Sequence, residues 1–78
     1  MKPLKVLFDN AVQVAYSHVK DETAKENYLS LVEEIDDRWH QETLVETDVQ
    51  IITFTINKVY PDQKVTEKDV YDSIGYYN

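Results

Sequence analysis

Between Thr23 and Glu42 the apolar residues fall at Ala24, Tyr28, Leu31, Val32, Ile35 and Trp39. At 100° per residue they form one stripe about 100° wide, the pattern of a helix with a single buried face. A strand would need alternation, and the run from Leu31 to Asp37 does not alternate. No Gly or Pro interrupts it, and Thr23 with Glu26 has the spacing of a capping box. This stretch commits the middle of the chain to a helix that needs something to pack against.

The preceding segment supplies it. Leu4, Leu7, Phe8, Ala11, Val12, Ala15 and Val19 recur at three- and four-residue spacing, which predicts a first helix over 3–19. Pro3 suits its first turn and Lys20 its negative end. Val6 points outward, and His18 at the stripe's edge reads as a half-buried, hydrogen-bonded histidine rather than a ligand. Carried through as one straight helix, the two stripes would differ by about 150°. A break between Lys20 and Thr23 lets both face one core, as an αα-hairpin or corner.

After a short connection at 43–47, Thr47 and Gln50 have the spacing of a second capping box. The stretch from Val49 to Tyr60 pulls two ways. Its β-branched content favours a strand. Its spacing at Val49, Ile52, Ile56, Val59 and Tyr60, ending before Pro61, favours a helix. A strand would have no good partner in this chain, so a helix over 48–60 is expected. Ile51 and Phe54 then lie off the main stripe, either buried in a central helix or exposed as an interface. A third box, Thr66 with Asp69, is flanked by Val65 and Val70 as a hydrophobic staple. It opens a last helix over about 67–74, with Gly75 as its stop and Tyr76, Tyr77 and Asn78 as an aromatic tail. The fold class expected is all-α, a compact orthogonal bundle of four helices within one domain, 1–78. The alternative is α+β, with 49–57 as a strand completed by a second chain.

Charge narrows the function. The chain has 78 residues and a net charge of −7, with residues 21–48 alone summing to −8. Direct nucleic-acid binding and anionic-membrane binding are both disfavoured, because each needs a basic surface. There is no Cys, hence no disulfide and no Cys-based zinc site. Lys2 and Lys5 precede no uninterrupted apolar run, so neither a signal peptide nor a span is read and a cytoplasmic location is expected. The single Gly rules out a glycine-rich phosphate loop and GxSxG. No cofactor is expected.

The acids are gathered on the central helix. Glu26, Glu33 and Asp37 lie opposite the apolar stripe, with Glu34 and Asp36 on its flanks. The pairs Glu33/Asp36 and Glu33/Asp37 are like-charge neighbours, each costing about 0.2–0.5 kcal/mol. The plain reading is a solvated face. The functional reading is a surface shaped for a basic partner, in its sharpest form one that normally binds nucleic acid. Tyr76 and Tyr77 join Ile51 and Phe54 as interface candidates, since Tyr couples apolar area to a hydroxyl. Tyr16, Tyr28 and Tyr60 read as core-rim residues.

Two enzymatic patterns compete. Asp37 and His40 stand at i,i+3, a spacing used in helical metal sites, but such sites draw ligands from several helices. Glu33, Glu34, Asp36 and Asp37 have the chemistry to bind Mg²⁺, but no second E-x-x-E element appears on the preceding helix. The expectation is therefore a non-enzymatic acidic regulator or inhibitor of a protein partner, with no metal site. The alternatives are an assembly subunit forming a homodimer or larger homo-oligomer, and a Mg²⁺-dependent carboxylate enzyme.

Overall fold

The computed structural model describes residues 3–74. These form four α-helices: α1 (Leu4–Ser17), α2 (Glu22–His40), α3 (Glu46–Val59) and α4 (Glu67–Ser73), with a 3₁₀ turn at Pro61–Gln63 before the last. There is no strand among the described residues. The all-α expectation holds and the α+β alternative falls. Val49, Ile52 and Ile56 are β-branched, yet all three are buried on one side of a helix. Tertiary burial of the helical stripe overrides their strand preference.

α1 and α2 form an antiparallel hairpin. At one end Lys5 reaches Asp36 at 3.0 Å; at the other the Lys25 ammonium lies over the Tyr16 ring, 5.4 Å from its centroid. Phe8 packs on Trp39 with ring centroids 5.8 Å apart. α3 lies against α1 and also packs on α4. Phe8, Ile35, Val49, Ile52, Ile56 and Val70 are fully buried where the four helices meet. Tyr28, Tyr60 and Tyr71 lean on this core from its rim, and Tyr16 is half-buried. Val6 is exposed, as its angular position implies.

Helix ends depart from the sequence reading. α1 stops at Ser17, two residues early, where the His18 and Val19 amides donate to the Ala15 and Tyr16 carbonyls in tight three-residue turns. Lys20 therefore sits beyond the last turn. His18 is exposed rather than half-buried, with Nδ1 3.0 Å from the Val14 carbonyl and 3.1 Å from the Ser17 hydroxyl. α2 starts at Glu22 because Asp21 caps it, accepting the Ala24 amide at 2.9 Å. A carboxylate outranks Thr as a cap, so the Thr23–Glu26 box does not form and Ala24 is exposed in the first turn.

The Thr47–Gln50 box does not form either. α3 begins two residues earlier than expected, at Glu46, and the Val45 amide donates to the Asp48 carboxylate at 3.1 Å. The third box is present as read: Thr66 accepts the Asp69 amide at 3.1 Å and Asp69 accepts the Thr66 amide at 2.9 Å. Val65 and Val70 are both buried beside it, closing the staple. Gly75, expected as the helix stop, lies outside the described residues.

Candidate functional site

The outer face of α2 is set by where the helix starts and how it is rotated. Ile35 and Trp39 are buried, which turns Glu22, Glu26, Glu33 and Asp37 to the opposite side, within a sector of about 60°. All four are exposed, as is Glu34 on the flank. Successive members of the line are one, two and one helical turns apart, spanning about 22 Å from Glu22 to Asp37. Glu22 was not a sequence candidate, because the helix was expected to begin at Thr23. Asp21 before it carried the missed signal, as the better capping residue.

Asp36 does not share this freedom. It is half-buried against α1, and Lys5 bridges it at 3.0 Å while also holding Asp9 at 2.6 Å. The Lys5 ammonium lies 5.8 Å from the centroid of the Trp39 ring. Burial alone would lower the Lys5 pKa; hydrogen bonds to Asp9 and Asp36 outweigh it and hold the group above its usual range. Asp36 is thus part of the hairpin's own wiring.

Arg38 is equally committed. Its guanidinium donates two hydrogen bonds to Asp48, Nε to Oδ2 at 2.6 Å and Nη2 to Oδ1 at 2.8 Å. Asp48 is only 2% exposed, and it also accepts the Val45 amide. The Arg38 hydrogen bonds pull its carboxyl below the usual 3.8, against burial, which raises it; the Val45 amide helps. One carboxylate therefore caps α3 and ties it to α2. Arg38 spends its charge on Asp48, leaving the neighbouring Glu34 and Asp37 without an ion pair.

The remaining sequence candidates separate. Ile51 is half-buried on the core, while Phe54 on the outer side of α3 is 69% exposed. Tyr76 and Tyr77 lie outside the described residues. Asp37 and His40 are exposed on α2, and among the described residues no three His, Cys, Asp or Glu side chains converge to hold a metal. No helix among them is long and apolar enough to cross a membrane.

A shallow groove of about 580 Å³ lies between the start of α1, Trp39 and α4. Its charged groups are already engaged: Lys5 as above, Asp69 in its cap, and Asp72 with Lys68 at 2.9 Å. Its lining mixes Leu4, Leu7, Trp39 and Val65 with these engaged charges. No protein-family model, curated protein or solved structure matches the chain.

Proposed function

We propose that this chain is an acidic protein-binding regulator that lays the outer face of α2 on a basic surface of a partner protein. The observation that carries the reading is the row of exposed carboxylates at Glu22, Glu26, Glu33, Glu34 and Asp37, none of them in an ion pair among the described residues. Folding gains little from them. Glu33 and Asp37 repel across one turn. Asp37 also stands in the last turn of α2, at its negative end, where acids are disfavoured. Asp36 recovers its cost through Lys5 and Glu22 gains from the first turn it occupies, whereas Glu26 and Glu33 make no ion pair among the described residues.

The sign and linear arrangement of the row suit a target built for nucleic acid. From Glu22 to Asp37 the five exposed carboxylates lie along about 22 Å of helix, on average roughly one per 5–6 Å, with two turns between Glu26 and Glu33. A single DNA strand presents one phosphate per roughly 3.4 Å. The row on α2 is sparser than that, but it offers charge of the same sign along one line to Lys and Arg side chains arranged for phosphates. The regulator would then act by occupying that row and excluding the nucleic acid.

The test is affinity capture from lysate of the source cells, using wild-type chain and a variant carrying Glu26→Gln, Glu33→Gln, Glu34→Gln and Asp37→Asn. Asp36 is left in place to keep its bridge. The wild-type bait should retain a basic protein that elutes with rising salt, and the variant should not. Equal capture by a folded variant would remove α2 as the binding face.

A further inference from the structure

We propose that the outer face of α3 is a two-fold docking surface for a second copy of this chain. Thr47, Ile51, Phe54 and Lys58 recur at four-, three- and four-residue spacing, within a sector of about 60° on the side away from Ile52 and Ile56. That is the spacing of a helix-to-helix seam. Phe54 is its centre and the most exposed large apolar side chain described, at 69%. Ile51 beside it is half-buried and held in place by the core.

Charge selects the occupant. α3 holds two acids, Glu46 and Asp48, and neither falls on this stripe. A face meant for a basic partner would carry acids, as α2 does. A face meant for phosphate would carry more than Lys58. A second copy is the partner for which clearing the acids matters most, because each copy brings a net charge of −7.

The stripe is also self-complementary. An antiparallel two-fold centred between Ile51 and Phe54 sets each Ile51 against Phe54 of the second copy, twice. It sets Lys58, near the end of one helix, against Thr47 and Glu46 at the start of the other, again twice. Lys58 then meets a carboxylate that within its own chain only accepts a 3.4 Å hydrogen bond from Gln50. A parallel pairing would stack Lys58 on Lys58. One side of one helix falls short of the roughly 800 Å² per partner of a stable interface, so the association is reversible, on the order of 100 µM.

Sedimentation equilibrium from about 10 µM to about 1 mM tests this at the concentrations that this affinity requires. Wild-type chain should pass from monomer to dimer, and Phe54→Asp should stay monomeric with unchanged helical circular dichroism, since Phe54 is not in the core. Lys58→Glu should weaken the dimer roughly fivefold, and adding Glu46→Lys should restore it, as two exposed ion pairs would imply. A wild-type chain that remains monomeric to 1 mM, or a dimer indifferent to Phe54→Asp, overturns the surface. Failure of the charge swap to restore association overturns the antiparallel register. Thermal melts of every variant separate loss of association from loss of fold.

Discussion

Asp48 concentrates three tasks in one carboxylate: it caps α3, it neutralises Arg38, and it joins two helices while itself almost wholly buried. Asp48→Asn keeps the size and one acceptor but removes the charge. We expect it to lose about 1–3 kcal/mol at neutral pH, the range for hydrogen bonds to charged groups. The sign of its pH dependence follows from the lowered pKa. The stabilisation is complete above the unfolded value of 3.8 and fades as pH falls through the lower folded value. Urea melts of wild type and variant should therefore differ by a constant amount above about pH 5 and converge in stronger acid. Asn57 does a similar joining task without charge. Its amide donates to the Val65 carbonyl at 2.7 Å and accepts the Val65 amide at 2.8 Å, holding the loop after α3 in place. Asn57→Ala should cost about 1–3 kcal/mol, since it strands two backbone groups. Asn57→Asp, which keeps only the acceptor, should fall between, as thermal melts would show.

At the scale of elements, the end of α2 carries a correctable strain. Glu42 has φ 60°, in the left-handed region. The Thr43 amide donates to the Arg38 carbonyl at 2.8 Å and the Glu42 amide to the Trp39 carbonyl at 3.1 Å, a closing motif that normally uses glycine. Glu42→Gly should stabilise by about 0.5–1 kcal/mol, raising Tm by roughly 2–8 °C. That motif was invisible in the sequence because the residue that announces it is missing. The helices themselves were legible. Stripes at Leu7/Phe8/Ala11, Val32/Ile35/Trp39 and Val49/Ile52/Ile56 state which side is buried, and that holds wherever the helix starts. Starts were less legible, because Asp21 and Asp48 compete with the nearby threonines and a window of sequence does not rank them. The candidate face was legible to the same depth. Angular position alone turns Glu26, Glu33 and Asp37 outward. Removing Asp36 from that face required knowing that Lys5, thirty-one positions earlier, lies across the hairpin. The Arg38–Asp48 pair was unreadable for the same reason, since it depends on how α3 folds back beside α2.

For the whole molecule, salt acts with opposite sign on the two surfaces. Two copies, each with a Cα radius of gyration of 12.3 Å and a net charge of −7, approach to centres about 25 Å apart in the α3 dimer. Treated as point charges in water, their repulsion is about 8 kcal/mol unscreened. Screening leaves about 3–4 kcal/mol at 0.01 M salt and a few tenths at 0.15 M. The two exposed Lys58–Glu46 contacts across the dimer are worth at most about 1 kcal/mol each, and screening only weakens them. Repulsion is the larger quantity, so added salt should tighten the dimer. On α2 the proposed role reverses the balance. Carboxylates laid on a cationic partner lose attraction as salt rises, so salt should slow association and weaken that complex. Sedimentation at low and physiological ionic strength should show the dimer constant improving by tenfold or more, within the limit set by those energies. Stopped-flow association with the captured partner should show the on-rate falling over the same interval. The variant lacking Glu26, Glu33, Glu34 and Asp37 carboxylates has lost four of its negative charges. It should therefore dimerise more readily at low salt while binding the partner more slowly. A variant that shifts both equilibria in the same direction would mean that one surface serves both contacts, and the assignment of α2 and α3 to separate roles would fail.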